Sequence, residues 1–240
     1  KITSIPYIKM TLALLDQIGV RTSFVGPVIT VHSMHEIASH TVTVESDWSS
    51  ASYFYAIVAL SKIGTQITLS SYKKDSFQGD SALAEIYQSL GVETVFDNNQ
   101  IVLRKTNCQL SIINCQLNNT PDIAQTIAVT CFGLGLGCHL NGLHTLKIKE
   151  TDRLEALQIE LTKLGATVSV TNDSLTLEAS NVLHPNIKIA TYNDHRMAMA
   201  FAPLALKVPI TIENAEVVSK SYPNFWNDLK KIGFQIFQSQ

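Results

Sequence analysis

The sequence predicts an α/β fold built from repeated units, with the helices inside and the sheets outside. Three observations carry this: a recurring glycine signature, helices that are apolar nearly all round, and strands that alternate in polarity. The signature is a helical stretch followed by an apolar residue, a glycine and a residue that opens a strand. It stands at Ile18-Gly19-Val20, Leu90-Gly91-Val92, Leu164-Gly165-Ala166 and Ile232-Gly233-Phe234. The spacing is about 70 residues, too long for a solenoid repeat and right for a small α/β module.

Upstream of each of the last three signatures the same elements are expected in the same order. The first is a helix, at Ser50–Leu60, Asp122–Leu136 and His195–Leu206. A short strand follows, at Gln66–Ser70, Thr145–Lys149 and Ile210–Glu213, and then a loop with polar and charged residues. A second helix ends at the glycine, and a strand hairpin comes after it. Thr167–Val170 and Leu175–Glu178, joined through Asn172-Asp173, form the clearest hairpin. Ala124, Ile127, Ala128, Val129, Cys131 and Phe132 leave no polar face, which marks a buried helix. The second helix is amphipathic, with Leu154, Leu157, Leu161 and Leu164 at helical spacing and Glu155, Gln158 and Lys163 between them. Thr167-Val168-Ser169-Val170 alternates, as a sheet with one wet face requires.

Both ends read as cut. The signature at Gly19 has a single helix before it, roughly Pro6–Ile18, and the last unit stops at Phe234–Phe237 without a returning strand. The missing parts are expected in sequence not present here, and a start at Lys1 rather than Met agrees. His32–Thr43 lacks helical periodicity and leads into Thr41-Val42-Thr43-Val44. The boundary therefore falls near Val44–Asp47 and divides residues 1–44 from a main domain at 45–240.

Hydrophobic residues at 45% against 16% charged imply a proper core. Apolar stretches break off well before the roughly 18 residues of a membrane span, and no secretory leader is visible. A net charge of -2 and a pI near 6.4 argue against a nucleic-acid binder. The cysteines, Cys108, Cys115, Cys131 and Cys138, form no CxxC pair, and the last two lie in an apolar helical stretch. Buried free thiols in a reducing cytoplasm are the better reading over a zinc site, so no metal is expected.

Charged residues gather at four expected helix starts: Pro121-Asp122, Lys149-Glu150-Thr151-Asp152-Arg153, Asn193-Asp194-His195-Arg196 and Ser219-Lys220-Ser221-Tyr222-Pro223. Helix N-termini favour anions, so cations such as Lys149, Arg196 and Lys220 need a further reason to be there, and a bound anion supplies one. Capping by Asp122, Thr151, Asp194 or Ser221 is the alternative at each place. Recurrence at equivalent points of repeated units favours one shared site.

Lys149-Glu150-Thr151-Asp152-Arg153-Leu154 and Tyr192-Asn193-Asp194-His195-Arg196-Met197-Ala198-Met199 resemble the two most diagnostic strings of the 5-enolpyruvylshikimate-3-phosphate synthase family. Asp47–Tyr53, Gln78-Gly79-Asp80, Pro121-Asp122, Ser219–Phe225 and Ser4–Tyr7 support the resemblance, which covers the whole chain in order. The fold it implies is an inside-out α/β domain of three βαβαββ repeats, here truncated. Residues 1–44 would be a remnant of the first domain. Residues 45–240 would be the second, lacking a strand normally supplied by the protein's N-terminus.

The resemblance implies transfer of the enolpyruvyl group of phosphoenolpyruvate to the 5-hydroxyl of shikimate 3-phosphate, releasing phosphate on the route to chorismate and the aromatic amino acids. No metal or organic cofactor is implied. Asp122 would be the base toward the hydroxyl, with Lys149 and Glu150 as the proton-handling pair. Ser4, Tyr7, Asp122, Thr145 and Lys149 would contact shikimate 3-phosphate. Arg153 and Arg196 would grip the phosphoenolpyruvate carboxylate bidentately. Lys220 would neutralise its phosphate, and His195 would support the site. Thr145 stands where the family often has Asn. The family's N-terminal lysine, glycine-rich loop and the remaining shikimate 3-phosphate ligands have no counterpart here, so the chain alone is expected to be inactive and to need the missing half. The competing readings are a non-catalytic binding or interaction module derived from the enzyme, and the related transferase acting on a UDP-amino sugar.

Overall fold

The computed structural model of the chain describes residues 5–34, 36, 39 and 41–238. It opens with helix α1 (Ile5–Gln17) and the hairpin β1 (Thr22–Val25) and β2 (Val28–Val31). No residue of α1 is buried, and β2 is exposed along its length.

The core is a layer of three helices. In α2 (Trp48–Leu60) every residue but Ser50 is buried. Asp47 starts this helix by accepting from the Ser49 and Ser50 amides, the N-cap bond that satisfies otherwise orphaned donors. After a 3-10 turn at Pro121–Ile123 comes α4 (Ala124–Gly133), buried throughout Ala124–Phe132. The third, α6 (His195–Phe201), leaves only Arg196 less than buried, and passes into a 3-10 turn at Ala202–Leu206. Pro203 accounts for that change, since it has no amide hydrogen for the α-helical ladder. The three pack on one another, and the Ser52 and Thr126 hydroxyls meet at 3.0 Å between α2 and α4. A β-carbon on Gly133 would stand 2.8 Å from methyls of both Leu60 and Leu204. A side chain there would push apart the ends of two core elements.

The sheets lie outside this layer. In the first unit β3 (Gln66–Ser70) is followed by the short α3 (Leu83–Ile86), β4 (Val92–Asp97) and β5 (Gln100–Lys105), in the order β3-β5-β4 with antiparallel neighbours. The second unit is complete: β6 (Ile113–Gln116), α4, β7 (Cys138–Asn141), α5 (Arg153–Lys163), β8 (Val168–Val170) and β9 (Ser174–Leu177), in the order β6-β7-β9-β8. There β6 and β7 are parallel and the other pairs antiparallel. The third holds β10 (Ile187–Ile189) and β11 (Ile210–Ile212), parallel across α6, and then α7 (Phe225–Lys231). Among the described residues no strand follows α7. The Tyr53 and Phe225 rings meet edge to face at 5.7 Å and dock α7 onto α2. No helix among the described residues is long and apolar enough to cross a membrane.

All four signature glycines have positive φ, from +80° at Gly91 to +104° at Gly165. The repeat is thus a left-handed helix stop, which glycine adopts without the β-carbon penalty.

Two expectations are corrected. Thr145–Lys149 is no strand: His144–Ile148 forms a 3-10 turn, and the strand is β7. Cys138 accordingly sits in that strand rather than in the helix. Gly135 (φ +75°) ends the helical run and Gly142 (φ +78°) ends the strand, a break that the continuous apolarity of Cys131–Leu140 hides. The leading strands β6 and β10 also escape residue patterning, because three or four residues are too few for a period. Among the described residues no strand before α2 joins the sheet of the first unit; the Ser46 amide makes one bond to the Ser71 carbonyl, at 2.7 Å.

Candidate active site

The starts of α4, α5 and α6 meet at one end of the helix layer, and each brings charge. Asp122 sits in the 3-10 turn that opens α4, and Arg153 is the first residue of α5. His195 and Arg196 open α6, and Lys220 ends the 3-10 turn Ala215–Lys220 ahead of α7.

Asp122 is the hub. Its Oδ1 lies 3.1 Å from Arg153 Nη1 and 3.4 Å from Lys149 Nζ, and its Oδ2 lies 3.3 Å from Arg196 Nη2. The Tyr7 hydroxyl donates to Oδ2 at 3.4 Å, which brings α1 to the same place. Burial pushes the Asp122 carboxyl up, but Arg196, Lys149 and Arg153 outweigh it and hold the group below the ordinary carboxylate range. Asp122 is therefore an anion at neutral pH, as a proton acceptor must be.

Arg153 is fully buried. Its Nε donates to Asp194 Oδ2 at 2.6 Å, Nη1 to Asp122, and Nη2 to Glu150 Oε2 at 2.6 Å and Asp194 Oδ1 at 3.4 Å. The arginine read as a carboxylate grip is here engaged with three carboxylates of the protein. Glu150 is the most exposed of those partners. Its burial raises its pKa, but its own backbone amide and Arg153 lower it further. Lys220 donates to the backbone and side-chain oxygens of Asn193, at 2.9 and 3.1 Å, rather than to a carboxylate.

The Thr145 hydroxyl is buried without a hydrogen-bond partner among the described residues, in the turn leading to Lys149. His195 Nδ1 also lacks a hydrogen bond among the described residues and stands 3.9 Å from Glu150 Oε1. Ser4 lies outside the described residues. The capping alternative holds for Asp194, which accepts from the Arg196 amide at 2.8 Å, but not for Asp122 or Thr151. The cap of α5 is Asp152.

Two buried carboxylates had no assigned role in the sequence reading. Asp80 accepts from the Ser49 and Thr120 hydroxyls, tying the start of α2 to the residue before Pro121-Asp122. Burial raises its pKa against those two bonds. Glu160 is the other. Arg153, Leu157, Glu160 and Leu164 succeed one another at three- and four-residue steps along α5 into its C-cap, the spacing of one helix face, and that spacing was the available signal.

Burial and the Arg196 charge hold His195 below the usual imidazole value, against the pull of Asp194 and Glu150. On acidification below about pH 6.5 the unfolded chain takes up a proton that native His195 refuses, so stability declines from there down to the lower native value. Asp122 and Glu150 contribute stability above about pH 4, lost as pH falls through their depressed native values. The urea midpoint is expected to be lower at about pH 5 than at about pH 7, with part of the difference absent in His195→Gln. Equal pH profiles for the two proteins would remove His195 from this account.

Solved structures share the architecture. EPSP synthase from Acinetobacter baumannii matches with a TM-score of 0.81 at 22% identity, over 95% of this chain and 55% of that one. The enolpyruvyl transferase NikO from Streptomyces tendae matches with a TM-score of 0.69 at 16% identity, over 98% of this chain and 54% of that one. The inside-out layers are the mixed α/β fold of enolpyruvyl transferases. A family model described as EPSP synthase (3-phosphoshikimate 1-carboxyvinyltransferase) matches residues 1–229. A 3-phosphoshikimate 1-carboxyvinyltransferase of Bacteroides fragilis strain YCH46 is 44% identical, over 98% of this chain and 58% of its own length. That of Shewanella pealeana is 35% identical, over 97% of this chain and 54% of its own length. The chain belongs to the EPSP synthase family, and it spans a little over half the length of these relatives.

Proposed function

We propose that the chain is the C-terminal half of an EPSP synthase, with residues 1–44 belonging to the first domain and residues 45–240 to the second. The observation that carries this is the convergence of Asp122, Lys149, Glu150, Arg153, Arg196 and Lys220 around the starts of α4, α5 and α6, in a chain of this family. The reaction is transfer of the enolpyruvyl group of phosphoenolpyruvate to the 5-hydroxyl of shikimate 3-phosphate. Asp122 accepts the hydroxyl proton as the oxygen bonds to the central carbon of phosphoenolpyruvate. Lys149 and Glu150 deliver a proton to the methylene carbon and take one back as the tetrahedral intermediate expels phosphate.

Tyr7, Thr145 and Lys149 face shikimate 3-phosphate in this reading, and Ser4 joins them. Arg196 and Arg153 hold the phosphoenolpyruvate carboxylate, which takes over donors that Glu150 and Asp122 occupy here. Lys220 meets the phosphate, and His195 backs Glu150. Glu150, released from Arg153, is then free for proton transfer.

Calorimetric titration of the chain with phosphoenolpyruvate tests the anion grip. Weak binding is expected, and Arg196→Ala and Lys220→Ala should each weaken it about tenfold or more, the loss of one charged hydrogen bond. Unchanged affinity in both variants would place the anion elsewhere.

A further inference from the structure

Glu160 is completely buried, 0% exposed, two helical turns beyond Arg153 on α5. Its Oε1 accepts from the Tyr192 hydroxyl at 2.6 Å, and its Oε2 accepts from the Ala190 amide at 3.2 Å. Lys163 Nζ bonds both oxygens, at 2.7 and 2.8 Å. Ala190 and Tyr192 belong to the connection between β10 and α6. Tyr192 and Asn193 have φ of +53° and +58°, in the left-handed region that asparagine enters readily but that a bulky tyrosine adopts only at a cost.

The charged cluster begins within this left-handed pair and continues directly after it. Asn193 supplies both oxygens that Lys220 binds, Asp194 caps α6 and accepts from Arg153, and Arg196 reaches Asp122. Helix α5 thus grips one loop twice, through Arg153 to Asp194 at its first turn and through Glu160 to Ala190 and Tyr192 two turns on. A carboxylate buried beneath an exposed lysine is a poor source of stability, because its desolvation cancels most of the attraction, and an apolar side chain would pack as well. The carboxylate is explained by what it orients.

We propose that Glu160 is a positioning residue. By clamping the loop before α6 in its left-handed conformation, it sets Lys220, Arg153 and Arg196 in one register for a shared anionic ligand. The proposal rests on the anion-site reading above and deepens it.

Tyr192→Phe removes one bond of the clamp and leaves no buried charge unpaired, while Glu160→Gln removes the charge. Both are examined in the 240-residue chain by nitrogen-15 NMR of the Arg153 Nε–H signal, assigned by its loss in Arg153→Lys, together with phosphoenolpyruvate titration and melting temperature. A variant of Leu161 with matched melting temperature is the control. The expected result is a shifted or broadened Arg153 Nε–H signal and about tenfold weaker binding in the two clamp variants but not in the control. If the clamp variants melt lower yet keep the wild-type signal and affinity, Glu160 is a packing residue and the proposal fails. The Arg153 signal needs no ligand. Were the wild-type chain to show no binding at all, the anion-site reading would fall while the signal still decided whether Glu160 orients Arg153.

Discussion

Replacing Arg153 by methionine is expected to destabilise the chain by about 3–5 kcal/mol, the usual cost of stranding a buried charge. Methionine fills much of the same space, so the loss is electrostatic rather than a cavity. It would leave Asp194, fully buried, without its 2.6 Å partner, and would take from Asp122 its nearest cation. Asp194 also starts α6, so the damage spreads to the third core helix. Domains of this kind hold only about 5–15 kcal/mol in total, and a loss of this size approaches unfolding at ambient temperature. Lysine is expected to fare little better, because a single ammonium cannot reproduce a planar fork shared among Asp194, Asp122 and Glu150. Urea denaturation followed by circular dichroism measures the effect. A midpoint for Arg153→Met matching that of the exposed-site variant Lys220→Ala would show that the buried network carries no net weight.

The second large effect is catalytic. The 240-residue chain by itself is expected to release no measurable phosphate from phosphoenolpyruvate and shikimate 3-phosphate. It spans 58% of the Bacteroides fragilis relative and 54% of the Shewanella pealeana one, and the proposed site has one wall, the starts of α4, α5 and α6. Holding two reactants in attack geometry with water excluded contributes about 7–11 kcal/mol of barrier reduction, and a single wall forfeits most of it. Adding the remaining part of the Bacteroides fragilis enzyme as a separate chain should restore turnover. In that mixture Asp122→Asn should lower the rate by about 10²–10⁴-fold, the range for a lost general base. Phosphate release at the rate of an intact relative from this chain alone would overturn the two-walled reading.

Much of the architecture was legible because it is written in local pattern. Helices α2, α4 and α6 lie inside because Trp48–Leu60, Ala124–Phe132 and Met197–Phe201 offer water almost no polar face. The hairpin β8–β9 was legible because its residues alternate. Strand β7 was misplaced because apolarity runs from Cys131 past Gly135 and Gly137 without a change of period. Strands β6 and β10 are too short to show a period at all.

The charged strings were equally local, and they put Asp122, Lys149, Glu150, Arg153, Arg196 and Lys220 at the starts of helices or just before them. Which charges face one another was not local. Arg153 meets Asp194 41 positions away, Glu160 meets Tyr192 at 32, and Asp80 meets Thr120 at 40. By itself the sequence determined the repeat, the buried layer and the family, since periodicity, helix stops and contiguous strings are properties of neighbouring residues. Only the tertiary structure decided that Arg153 is buried among carboxylates and that Glu160 grips a left-handed loop. A buried charge takes its partner from whatever the packing brings within about 3 Å of it, and no local pattern encodes that choice.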